Sequence, residues 1–114
     1  MRKILLPIAM LVVASAAAHA HAFLDHASPR VGSTVRAAPR EVTLWFTQKL
    51  EPSFSSAQVT DSSGARVDQG AQVSGMQMHV PVKALSPGTY RVRWKVLSVD
   101  THTTEGNFTF RVGQ

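Results

Sequence analysis

The sequence predicts an all-β domain, an immunoglobulin-like or cupredoxin-like Greek-key β-sandwich (barrel) of about seven strands behind a cleaved leader. Three observations carry this prediction. Short segments that alternate apolar and polar residues recur from residue 22 onward, separated by Gly, Pro, Ser and Asp, and a period of two belongs to strands with one buried face. No stretch after Ala20 repeats apolar residues at helical spacing over a useful length. The strongest alternating segment holds a central Trp94 and is entered through Gly88-Thr89-Tyr90, the pattern of a tyrosine corner.

Arg2 and Lys3 precede an almost unbroken apolar run from Ile4 to Ala18, and Ala18-His19-Ala20 has the small-x-small form of a cleavage site. The run is shorter than the roughly 20 apolar residues of a spanning helix, so residues 1–20 read as a signal peptide and a periplasmic location is expected. Of the 114 residues, 94 then form one domain, 21–114, long enough for one core and too short for two. Without Arg2 and Lys3 the net charge of +5 becomes +3. The remaining cations are scattered, as on a solvated basic face, so nucleic acid is not an expected partner. The chain has no cysteine, which excludes disulfide staples, thiolate zinc sites, Cys nucleophiles and blue-copper centres.

Residues 22–28 read as a first strand stopped by Pro29, with a turn at 30–33 and a loop at 35–40 around Pro39. In 41–47, Val42, Leu44 and Phe46 share one face, Thr43 and Trp45 the other. A strand at 56–60 leads through Asp61-Ser62-Ser63-Gly64, a hairpin turn, into 65–68. Residues 70–75 read as loop, and 77–83 alternates again with Met78, Val80 and Val82 inward and His79 outward. After Ser86-Pro87-Gly88, Tyr90, Val92, Trp94 and Val96 face the core and Arg91, Arg93 and Lys95 face water. Residues 107–112 close the chain with Phe108, Phe110 and Val112 inward.

Candidate chemistry begins at Ser98-Val99-Asp100-Thr101-His102. On an extended backbone, residues two apart point the same way, so Asp100 and His102 aim a carboxylate and an imidazole at one point. Cleavage after Ala20 makes His21 the mature N-terminus, able to offer its α-amino nitrogen and its Nδ1 together. His21, Asp100 and His102 then supply three nitrogens and one oxygen, a set that suits tetragonal Cu(II) best and that tetrahedral Zn(II) would also accept. In the precursor that nitrogen is an amide, so the full site exists only after export.

These residues, with Ser28-Pro29, Leu44-Trp45-Phe46, the run from Pro87 to Trp94, Gly106 and Phe108-Thr109-Phe110, give a sequence that resembles the copper-resistance protein C (CopC) family over essentially all of 21–114. The resemblance implies a cupredoxin-like Greek-key barrel and a Cu(II) site built from the amine and ring of His21, Asp100 and His102. It also implies an inner-membrane copper-import partner of the CopD type. Some family members carry a Met-rich Cu(I) loop; the matching region here, 57–69, has no methionine, so the chain is similar to Cu(II)-only members. A Glu expected after Phe46-Thr47 is replaced by Gln48, which leaves open whether Gln48 or Glu51 acts behind the metal ligands.

Met76 and Met78 fall on the face of Val80 and Val82 and read as core. His26 beside Asp25 reads as a surface pair, His79 as surface, and His19 leaves with the leader. The expectation is a monomeric, non-enzymatic copper carrier. A histidine-brace oxygenase is an alternative, although Asp100 would take a position that oxygen needs. A metal-free immunoglobulin-like interaction module is the other, and it predicts that copper does not raise thermal stability.

Overall fold

The computed structural model describes residues 22–114. The predicted signal peptide and His21 lie outside them. Among the described residues eight strands form two four-stranded sheets: β1 (Leu24–Ser28), β3 (Glu41–Phe46), β6 (Gln77–Pro81) and β5 (Gln72–Ser74) in the order β1-β3-β6-β5, and β2 (Thr34–Val35), β8 (Thr103–Val112), β7 (Gly88–Leu97) and β4 (Ser56–Thr60) in the order β2-β8-β7-β4. Pairing is antiparallel except that β2 runs parallel to β8. The chain crosses between sheets at every connection except the β5–β6 and β7–β8 hairpins. This is the predicted all-β sandwich.

The alternating residues fill the space between the sheets. Val42, Leu44, Met78, Val80, Val92, Val96 and Phe110 are fully buried, the apolar face expected of each strand. Tyr90 makes the predicted corner, its Oη donating to Ser86 O at 2.5 Å. Trp94 packs edge-on against Phe46, with centroids 5.2 Å apart. That packing depends on Gly106, opposite Trp94 in the ladder: a Cβ there would lie 2.6 Å from the indole Cζ2.

The strand boundaries differ from the expectation where polar residues hide a strand. Residues 34–35 and 72–74 are strands inside predicted loops, and β8 begins at Thr103 instead of Asn107. Thr103-Thr104-Glu105-Gly106 has no apolar alternation; its backbone bonds to β7 make it a strand. The predicted turn at 61–64 and its return arm are present, with Asp61 N–H donating to Ala65 O, Val67 N–H to Val59 O and Arg66 bridged antiparallel to Thr60, but the arm forms no full strand and crosses to the other sheet, where Asp68 bridges Val82. Met76 is not core. Ser74 pairs with Gln77, so Gly75-Met76 are the two turn residues of the β5–β6 hairpin, Gly75 has φ +64°, and Met76 is half exposed.

Asp68 holds the sheet crossing. Its side chain is 1% exposed, accepts from Val59 N–H at 2.9 Å and takes a two-pronged contact from Arg66 at 3.1 and 2.7 Å. Burial pushes the Asp68 carboxyl up, but the Arg66 fork and the Val59 amide outweigh it and hold the carboxyl below its ordinary value.

Two outcomes are expected. Gly106→Ala should force Trp94 from its seat and destabilise the fold by about 1–3 kcal/mol, read as a lower urea midpoint with altered tryptophan emission. Asp68→Ala strands the Val59 amide and should cost about 1–3 kcal/mol near neutral pH. Asp68 also contributes through its charge: because its folded-state pKa is depressed, that part is complete above the unfolded value of about 3.9 and lost as pH falls through the folded one. The gap between the urea midpoints of the two proteins should therefore narrow in acid to the part left by the unpaired amide; a gap that does not change with pH would refute the linkage.

Candidate metal centre

The β7–β8 hairpin ends in the loop 98–102, and its backbone is closed from within. Ser98 N–H donates to His102 O at 3.0 Å, Thr101 N–H donates to Ser98 O at 2.9 Å, and Thr101 takes the left-handed φ of +73°. The segment is therefore a tight turn, not the extended backbone that the sequence suggested. Asp100 and His102 converge nonetheless: His102 Nδ1 lies 3.5 Å from Asp100 Oδ1. Both side chains are partly exposed, 41% for Asp100 and 47% for His102. The left-handed residue between them does what the pleat would have done.

Ser98 is the fixed point beneath them. It is fully buried, and its hydroxyl donates to Asp100 Oδ1 while lying 3.2 Å from His102 O. The Ser98 hydroxyl, opposed by partial desolvation and helped by His102, holds the Asp100 carboxyl below its ordinary value. The same hydroxyl favours the charged form of Asp100 as an oxygen donor. From sequence, Ser98 is only a serine near a carboxylate and an imidazole; its burial is the signal that gives it a role.

Among the described residues, Asp100 and His102 have no third His, Cys, Asp or Glu close enough to complete a metal-binding group. The chain does enter this end of the sandwich beside them. Ala22 is buried, and its carbonyl accepts from Thr104 Oγ1 at 2.5 Å, two residues past His102. His21 is one Cα step, about 3.8 Å, before Ala22 and lies outside the described residues. Sequence reading gave Thr104 no definite part; its hydroxyl is what ties the start of the domain to the start of β8.

The other histidines are elsewhere. His26 Nδ1 lies 2.7 Å from Asp25 Oδ2, and the ring stacks on Trp45 at 4.3 Å, an arrangement set by a bulge between Leu24 and His26. His79 Nδ1 lies 3.1 Å from Glu41 Oε1. Both sit on the outer face of the β1-β3-β6-β5 sheet, as surface groups.

The segment 47–51 ties this end together. Thr47 N–H donates to Phe23 O, Leu50 N–H to Gly75 O, Val99 N–H to Lys49 O and Glu51 N–H to Leu97 O, at 2.8–3.0 Å. Gln48 and Glu51 are both half-buried here, next to the loop. Phe23, Phe54, Met76 and Val99, four of the five exposed large apolar side chains among the described residues, belong to these same connections.

Replacing Ser98 by Ala should let the Asp100 carboxyl rise toward the usual value of about 3.9, observed by carboxyl NMR titration of the metal-free protein. Loss of such an outer partner should also weaken metal binding roughly 10- to 100-fold. An unchanged Asp100 titration would remove Ser98 from the site.

A family profile described as "CopC domain" matches residues 24–113. Protein YobA of Escherichia coli K12 is 39% identical over 107 residues, covering 90% of this chain and 85% of the relative. Copper resistance protein C of Xanthomonas campestris pv. juglandis is 38% identical over 110 residues, covering 88% and 86%. The crystal structure of CopC from Methylosinus trichosporium OB3b superposes with a TM-score of 0.77 at 36% identity, covering 82% of this chain and 94% of that one. The profile match across nearly the whole described domain, with the same sandwich in a solved relative, makes this chain a member of the CopC family.

Proposed function

We propose that the mature chain is a periplasmic, monomeric and non-enzymatic copper carrier. It holds Cu(II) through the α-amino nitrogen and Nδ1 of His21, a carboxylate oxygen of Asp100 and the imidazole of His102. One observation carries the reading: Asp100 and His102 converge on a loop pinned by Ser98, and Thr104 at the edge of that loop holds the carbonyl of Ala22, the neighbour of His21. The family supports copper as the cargo, since relatives are named for copper resistance. The donor chemistry supports Cu(II), with nitrogen and oxygen donors and no methionine in 57–69. The exposed Phe23, Phe54, Met76 and Val99 on the connections tied to segment 47–51 support hand-off to another protein, which we take to be an inner-membrane copper importer of the CopD type.

The chemistry sets the pH response. Copper requires the neutral amine, whose reference pKa is about 7.7–8.0, and neutral imidazoles. Asp100 is already charged, so acidification weakens binding through the nitrogens. Copper held by the folded state alone should also raise the melting temperature, in proportion to its concentration over Kd.

The deciding experiment compares EPR spectra of residues 21–114 and of the same chain extended by Ala20, each with one equivalent of Cu(II). The expected result is a tetragonal, nitrogen-rich signal in the first that is lost or changed in the second. Identical spectra would exclude the amine of His21 and require a different donor set.

A further inference from the structure

The two sheets carry opposite charge. β1, β3, β5 and β6 contain no Lys or Arg and two carboxylates, Asp25 and Glu41. On the other sheet, alternation turns Arg91, Arg93 and Lys95 of β7 and Arg111 of β8 outward, all exposed. Glu105, opposite Lys95, is the one carboxylate among the outward residues of those two strands. Four cations against Glu105 leave +3, equal to the net charge of the chain without its leader; the other charges of the domain cancel.

These charges are not neutralised within the molecule. Arg91 donates to the amide oxygen of Asn107 and Arg111 to the hydroxyl of Thr89, both neutral acceptors, and none of the four cations joins an ion pair among the described residues. The carboxylates at the margin are engaged: Asp68 by Arg66, Asp61 by the amides of Ser63 and Ala65. Between Arg66, Arg93, Lys95 and Glu105 lies a shallow depression of about 580 Å³, with Ala57, Trp94 and Gly106 across its floor.

We propose that this sheet face docks on an anionic lipid bilayer. A sheet spreads its cations laterally, with alternate residues of one strand about 6.6–6.8 Å apart, so several reach a planar headgroup layer together. None of the five exposed large apolar side chains belongs to a strand of this sheet, whereas a protein interface needs an apolar anchor at its centre. Headgroups attract by charge alone, within a Debye length of about 8 Å at physiological salt, and the depression offers room for a phosphate beside Arg93 and Lys95. Docked this way, the loop 98–102 stands at the rim of the membrane-facing surface, because it joins the same two strands. The inference does not depend on which metal that loop binds.

The test is cosedimentation of residues 21–114 with vesicles, either pure phosphatidylcholine or an equimolar mixture with phosphatidylglycerol. Binding is expected to the mixed vesicles and not to the neutral ones, weakening as salt is raised. Arg93→Gln and Lys95→Gln should each lower the partition coefficient about fivefold. Lys83→Gln, at an exposed loop cation off this face, should leave it unchanged. Absence of binding to the mixed vesicles, equal binding to both kinds, or an equal loss in Lys83→Gln would each overturn the proposal; the first would return the face to an acidic protein partner, the last to net charge alone.

Discussion

Ten consecutive pairs join β7 to β8, from Gly88 opposite Val112 to Leu97 opposite Thr103, and the pleat of that ladder sorts side chains to two faces and one end. Inward go Tyr90, Val92, Trp94, Val96, Phe108, Phe110 and Val112, much of the core. Outward go Arg91, Arg93, Lys95 and Arg111. At the end the chain turns back through five residues, 98–102, two of which, Asp100 and His102, are the proposed metal ligands. A one-residue slip in this register would send the apolar set to water and the cations into the core, so core, basic face and loop depend on the same pairing. Gly106 protects that register, since only a residue without Cβ leaves room for Trp94.

The loop satisfies its own backbone before it offers anything to a ligand. Ser98 and Thr101 amides are bonded within the turn, Val99 to Lys49, and the Ser98 hydroxyl to Asp100. A carboxylate and an imidazole held part-exposed on a closed turn lose little conformational freedom when they coordinate. The same exposure keeps Asp100 hydrated, so its charge is retained at small desolvation cost. This suits a carrier, which must bind its cargo at the surface and give it up there.

The segment 47–51 extends that order to the whole end of the sandwich. Its backbone bonds reach Phe23, Gly75, Leu97 and Val99, so the entering chain, the β5–β6 turn and the β7–β8 loop are tied into one bonded body. The exposed apolar side chains of Phe23, Phe54, Met76 and Val99 are carried on these connections. Thr104, through Ala22, brings the start of the domain into the same body.

The sequence by itself determined what a period of two can carry: the sandwich, the inward face of each apolar strand and the tyrosine corner. Burial of apolar side chains writes those features directly into residue order. It was silent on β2, β5 and the first four residues of β8, because short or polar strands are fixed by ladder bonds to partners distant in sequence. It misplaced Met76, whose apolar character fits the core pattern but whose position is a turn set by Ser74 and Gln77. Only the tertiary structure decided that Asp100 and His102 meet across a left-handed Thr101, that Ser98 is buried beneath them, and that Thr104 fastens Ala22 next to the loop. Each of these is a contact between backbone and side chain in a closed turn or between residues far apart in the chain, and periodicity holds no record of such contacts.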